Sequence, residues 1–219
     1  SRVIDRPMRP LFPKDYRNDV TINNMVMSVD PECSPELTAM LGSAIATAIS
    51  DIPFDGPCAT TQVGLIDGQF VFNPNSAQNA KSDLKLTVAS TSEKVIMIEA
   101  GANEVPEDVM IEAIYAAHEV NQQVIAFINK VVAEVGKPKH SYESCAIPAE
   151  LFEAMKEIVS PQDMEVAVFT DEKQQREENI RVIREKMEEA FAENEEWLAV
   201  LDEALYQYQK KTVRKMILK

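Results

Sequence analysis

The feature that most constrains the fold is a change of hydrophobic period along the chain. Within residues 62–99 apolar residues alternate or run in short blocks around turn residues, whereas within 106–135 they recur every three or four positions. The first pattern belongs to strands and the second to an amphipathic helix. Asp67-Gly68, set between residues 62–66 and 69–72, is the signature of a hairpin closed by a type I′ turn. Residues 83–89 and 94–99 predict a second hairpin. Leu84, Leu86 and Val88 alternate in one arm, while Val95-Ile96-Met97-Ile98 is continuously apolar, as in a strand covered on both faces. Met110, Ile114, Ala117, Val120, Val124, Ile125 and Ile128 mark the stripe of the long helix, with Gly136 as its C-cap and Pro138 as its stop.

The flanking segments extend this frame. Residues 1–17 are rich in Arg and Pro and predict a short helix as far as Met8, ended by Pro10 and Pro13. Residues 20–29, rich in Val, Ile, Thr and Met, read as a strand. Ser34 is a good N-cap, and Pro35 suits the first position of a helix that Pro53 closes. Residues 73–82 form a polar loop, and 137–142 a linker. Beyond it, helices are expected over 147–159, 171–192 and 194–219, with 160–170 as a non-helical connection. The whole reads as an α+β domain with antiparallel strands, residues 1–138, followed by a small all-α domain, residues 139–219.

Acidic residues outnumber basic ones by 36 to 22, giving a formal charge of −14. That disfavours a domain that binds nucleic acid through overall positive charge, although net charge averages over faces. The asymmetry is local: residues 171–203 hold twelve acidic and five basic residues, and 204–219 hold five basic and none acidic. Within the helices, Glu177 with Arg181, and Asp202 with the bases downstream, are expected to pair. Three scattered cysteines and two histidines give no zinc or disulfide pattern, which fits a reducing, cytoplasmic setting. No apolar stretch approaches the ~18 residues of a membrane span. The chain starts at Ser1 and ends in mid-pattern, and so reads as a piece of a longer one.

No complete active site emerges from the residues themselves. His118 lies mid-helix and His140 in the linker, with no nucleophile pattern beside either. Asp83 begins a strand with no second carboxylate nearby, whereas Mg²⁺ sites use one or two carboxylates plus substrate phosphates. The helix starting at Pro35 is a poor phosphate site, because Pro35 lacks an N–H and Glu36 adds negative charge. Arg2, Arg6 and Arg9, spaced by four and three, share one helix face. They suit either a phosphate clamp or a salt-bridge cluster with the acidic body.

The run from Ser1 to Pro13, Ser-Arg-Val-Ile-Asp-Arg-Pro-Met-Arg-Pro-Leu-Phe-Pro, resembles a segment of the bacterial polynucleotide phosphorylase family. The resemblance continues through Ser28-Val-Asp-Pro31, Asp51-Ile-Pro-Phe-Asp-Gly-Pro57, Val63-Gly64 to Pro74, Asp83-Leu-Lys-Leu-Thr-Val-Ala89, His118-Glu119 and Gly136-Lys-Pro138. It implies most of the first of two ribonuclease PH-like cores (ribosomal protein S5 domain 2-like) followed by the family's all-α domain. Such enzymes are homotrimeric, use Mg²⁺ and phosphate, and degrade mRNA from its 3′ end as nucleotidyltransferases, alone or with partners of an RNA-degradation complex. The resemblance assigns catalysis to the second core. Its phosphate-binding serines correspond here to Pro35 and Glu36, and one of its two metal-holding aspartates corresponds to Asp83. The other falls six residues earlier, at Ala77. The expectation is therefore a non-catalytic scaffold and channel wall that binds no cofactor, with Arg2, Arg6 and Arg9 on the channel side. The competing expectations are a stand-alone acidic scaffold or interaction protein on the same fold, and a residual nuclease centred on Asp83.

Overall fold

The computed structural model describes residues 2–30 and 32–218; Ser1, Pro31 and Lys219, which the sequence motifs include, lie outside the described residues. The chain forms two compact units, divided between Glu143 and Ser144.

The first unit opens with α1 (Arg2–Met8) and a 3₁₀ turn (Arg9–Leu11), followed by α2 (Pro35–Ile49). Strands β1 (Ala59–Ile66) and β2 (Gln69–Phe72), the short α3 (Ser76–Asn79), β3 (Leu84–Ser90), β4 (Val95–Ala102) and the long α4 (Glu107–Val135) complete it. The four strands form one antiparallel sheet in the order β2-β1-β3-β4. Asp67 and Gly68 take φ of 50° and 75°, as the type I′ turn requires. Strand side chains alternate between faces. Val63, Leu84, Leu86 and Val88 therefore pack together against Ala113 and Ala117 of α4, all at or below 1% exposure.

A buried polar contact fixes α4 on the sheet. Asn121 lies on the same stripe as Ala117 and Ile125 and is fully buried. Its Nδ2 donates to the Val88 carbonyl at 3.1 Å and to Ser90 Oγ at 2.9 Å, and its Oδ1 accepts from Thr61 Oγ1 at 2.8 Å. All polar atoms of the amide side chain thus have partners where water is excluded.

Several expectations need correction. Residues 20–29 form no strand: they have no regular secondary structure and no ladder partners, and Met25 and Met27 are 82% and 83% exposed. Strand character needs a neighbour to accept the backbone bonds, and here there is none among the described residues. β4 is an edge strand, not one covered on both faces, and Ile98 is 43% exposed. Gly136 is the C-cap of α4, as the sequence predicts, in extended backbone at φ −66°. A glycine is still demanded there, because a Cβ would lie 2.4 Å from the Val132 carbonyl oxygen. The segment 137–142 is not a free linker: the Lys137 and His140 amides donate to Ile49 and Asp51 carbonyls at 2.9 and 2.7 Å. Lys139 Nζ caps the C-terminal end of α2 through the Thr47, Ala48 and Ser50 carbonyls.

The second unit is all-helical: α5 (Ala149–Ile158), α6 (Pro161–Val168), α7 (Lys173–Ala190) and α8 (Glu195–Ile217). Leu151, Met155, Met164, Met187 and Ala204 form its solvent-free centre. α6 occupies the stretch expected to be non-helical. Ser160 caps it by accepting from the Asp163 amide at 3.2 Å, and Pro161 takes its first position. Arg181 pairs with Glu178 and Glu185 rather than Glu177, and Asp202 pairs with Arg184 on α7 at 2.7 Å rather than with a base downstream.

Candidate functional site

Asn73 sits at φ 51°, in the left-handed region that asparagine tolerates. Its amide donates to the Gln62 carbonyl at 2.7 Å, and its Oδ1 accepts from the Gln62 amide at 3.0 Å. This clamp turns the chain after β2. Asn75 then caps α3 reciprocally with Gln78 and donates through Nδ2 to Glu32 Oε2 at 2.5 Å. The loop is thereby held toward the start of α2. Between them lies a cavity of about 240 Å³, lined among others by Asp30, Pro35, Glu36, Gln62, Ser76 and Lys85.

The structure brings only some of the expected residues to this cavity. Pro35 and Glu36, in the first turn of α2, line it. Ala77, in α3, is exposed and not part of its wall, and neither is Asp83. The Asp83 amide donates to the Leu65 carbonyl at 2.9 Å, and its carboxylate accepts from Asn103 Nδ2 at 3.4 Å. Lys85 was not singled out from the sequence. It alternates with Leu84 and Leu86 and points away from α4, and that alternation was the available signal.

The wall is badly suited to phosphate. Lys85 is its one cation, against the carboxylates of Asp30 and Glu36. Pro35 offers no N–H. Ala77, which the resemblance pairs with a metal-holding aspartate, has no donor side chain and lies outside this wall. Among the described residues no three His, Cys, Asp or Glu side chains cluster as a metal site would require.

The arginines separate. Arg6 reaches Glu99 on β4 at 3.3 Å, while Arg9 binds Asp5 through Nε and Nη2 at 3.2 and 2.7 Å. Arg2 is exposed on α1. Arg9 borders an open groove of about 950 Å³ with Lys14, Tyr16 and Arg17. Tyr16 also meets His140 Nε2 at 3.3 Å and packs edge-on against Tyr142. Burial and the Tyr142 hydroxyl's bond to Asp15, at 2.9 Å, hold that phenol above its ordinary pKa.

The full length of the chain is 76% identical to a polyribonucleotide nucleotidyltransferase of Lachnoclostridium phytofermentans, over 220 aligned residues that make up 32% of that relative. The chain belongs to the polyribonucleotide nucleotidyltransferase family. A relative of the same name from Ruminiclostridium cellulolyticum is 50% identical over the whole chain and 31% of its own length. One from Caldicellulosiruptor saccharolyticus is 44% identical over 99% of the chain and 31% of its own length. The chain thus spans about a third of the length of these relatives. The family model "3′ exoribonuclease family, domain 2" matches residues 56–120, which hold the sheet and the first half of α4. "Polyribonucleotide nucleotidyltransferase, RNA binding domain" matches residues 150–219, the helical unit. Rice (Oryza sativa) Rrp46 superposes on 48% of the chain and 51% of its own at TM-score 0.43 and 13% identity. The fold class is therefore an α+β ribonuclease PH-like core followed by an all-α domain.

Proposed function

We propose that this polyribonucleotide nucleotidyltransferase segment is the non-catalytic first core and helical domain of a phosphate-dependent 3′-to-5′ exoribonuclease. The first compact unit would be the first ribonuclease PH-like core and the second the all-α domain. The observation that carries this reading is the cavity beside α2. Pro35 and Glu36, which stand where the resemblance expects phosphate-binding serines, line it, while the positions matched to the metal-holding aspartates, Ala77 and Asp83, lie outside its wall. In the reaction, a phosphate oxygen attacks the 3′-terminal phosphodiester phosphorus. The P–O3′ bond breaks, the penultimate O3′ takes a proton, and a nucleoside 5′-diphosphate leaves. That chemistry needs cation or N–H donors aimed at the developing charge, and two carboxylates oppose it here. The segment acts as scaffold and as wall of an RNA channel in a cytoplasmic homotrimer. Mg²⁺ and phosphate serve another part of the enzyme. Of the three arginines, Arg6 braces α1 against β4 through Glu99, and Arg9 closes a local pair with Asp5 of α1, which supports a bracing role for this segment, Arg2 included.

The test is a chimera in which this chain replaces the matching third of the L. phytofermentans relative. Asp83→Ala and Lys85→Ala, both at exposed positions, are expected to leave the kcat for ADP release from oligo(A) within about twofold of the unsubstituted chimera. A loss of a hundredfold or more would assign catalysis to this core and refute the reading.

A further inference from the structure

The C-terminal end of α2 is finished by a segment far along the sequence. The last carbonyls of a helix have no partner within it. α2 has no basic residue in its last turn, and it ends at Ser50 in extended backbone, with the Ser50 amide serving the Ala46 carbonyl. From there on, successive carbonyls accept from residues 137–140. Thr47, Ala48 and Ser50 accept from Lys139 Nζ at 3.1, 3.0 and 2.7 Å. Ile49 accepts from the Lys137 amide at 2.9 Å, and Asp51 from the His140 amide at 2.7 Å. Thr47 also takes the Ser50 hydroxyl at 2.8 Å. Lys139 stands 89 to 92 residues from the carbonyls it serves.

The match between Lys139 and its surroundings is one of number as well as charge. An ammonium has three N–H donors and no acceptor, and three carbonyl oxygens converge on it. The negative end of the α2 dipole and the Asp51 carboxylate add to the attraction. The ammonium has exchanged water for these oxygens. Partial desolvation lowers its pKa below the ordinary lysine value, with Asp51 acting in the opposite direction. A tripod of carbonyls recognises the –NH₃⁺ head and not the stem that delivers it.

We propose that the Thr47, Ala48 and Ser50 carbonyls, with Asp51, form a binding site for a primary ammonium ion, and that Lys139 is its tethered occupant, latching residues 137–143 onto the first unit. The Tyr16–His140 and Tyr142–Asp15 contacts hold the rest of this strap. The strap is the last stretch before the division between the units. Its release would add residues 137–143 to the free chain that joins them, up to about 24 Å of extended length. The site thereby governs how much free chain connects the core to the helical unit. It goes beyond the enzymatic reading and does not depend on it.

The experiment uses the whole 219-residue chain and residue-resolved amide hydrogen exchange at neutral pH. The Lys137 and His140 amides report the strap, and those of Leu86 and Val88, on the buried part of β3, report that the first unit is folded. Lys139→Ala should lower protection of both strap amides about tenfold or more, as the loss of one charged hydrogen bond suffices to do, and leave β3 within about twofold. Chymotryptic cleavage after Tyr142 should quicken in parallel. Because a tethered group acts at a millimolar or higher effective concentration, the free probe, ethylammonium chloride, is added at about 0.1 M. It should restore at least half of the lost protection. Tetramethylammonium chloride at the same concentration carries the charge without an N–H and should restore none. Lys137→Ala removes the same charge from the strap and should change protection of the His140 amide less than about twofold. The proposal is overturned if Lys139→Ala keeps the protection of the parent, or if Lys137→Ala loses as much. Equal rescue by both salts overturns it too, since the lysine then acts through charge alone. Should Lys139→Ala lose protection in β3 as well, the same salts decide. Recovery with ethylammonium alone supports the site, and recovery with neither overturns it.

Discussion

Asn121→Leu tests whether the buried amide fixes α4 on the sheet. Leucine is close in size, so the change isolates the polar contribution. It would strip the Asn121 partner from the Ser90 and Thr61 hydroxyls, at 0% and 1% exposure, while the Val88 carbonyl keeps its place in the ladder of the central strand β3. Each buried group left unsatisfied costs about 2 kcal/mol, and the added apolar burial returns about 2 kcal/mol in all. The expected destabilisation from the two hydroxyls is therefore about 2 kcal/mol. With a urea dependence of about 2 kcal/mol per molar, the midpoint should fall by about 1 M. Far-UV circular dichroism follows the transition, and amide hydrogen exchange in β1 and β3 localises it. Removing the stranded groups as well, in Thr61→Val/Ser90→Ala/Asn121→Leu, should recover at least half of the loss, because replacing all partners by apolar groups avoids the desolvation cost. A single variant within about 1 kcal/mol of the parent would refute the argument, and so would a triple variant no better than the single one.

Two further outcomes follow from local chemistry. Ser160→Ala removes the cap of α6 and should destabilise the helical unit by about 1 kcal/mol, read by urea unfolding through Trp197, the single tryptophan, which packs edge-on against Phe191. Burial pushes the Cys58 thiol up from 9.0 to about 11. The folded chain thus keeps a proton that the unfolded chain loses. The associated stability is fully present below pH 9.0 and is lost as pH rises through about 11, so the stability advantage over Cys58→Ala should shrink across that window. At pH 8 a thiol reagent should modify exposed Cys33 quickly and Cys58 only on unfolding.

What the sequence made legible was local. Asp67-Gly68 and Ser34-Pro35 act within a few residues of backbone, and the structure places a turn and a helix start there. The start signal Ser160-Pro161 was equally local, but the eight-residue helix it opens is too short to display a clear apolar period. Residues 20–29 have strand composition, yet pairing is a property of the neighbour and cannot be read from the segment itself. Asn121 was hidden because a polar residue in mid-helix usually faces water, although its spacing of four from Ala117 and Ile125 placed it on the buried stripe. The cavity joins residues from α2, the loop after β2 and β3. Pro35 and Glu36 were legible as unfavourable to phosphate, while the alternation of Lys85 with Leu84 and Leu86 marked its outward face but not the cavity it lines, which forms only when the strands are in register.

The central claim is that this chain supports an exoribonuclease without performing the chemistry. The most direct measurement is ADP release when the purified chain meets oligo(A), Mg²⁺ and phosphate, with the chimera as positive control. The account predicts no ADP from the chain and clear release from the chimera. ADP from the chain that disappears on Asp83→Ala would contradict it.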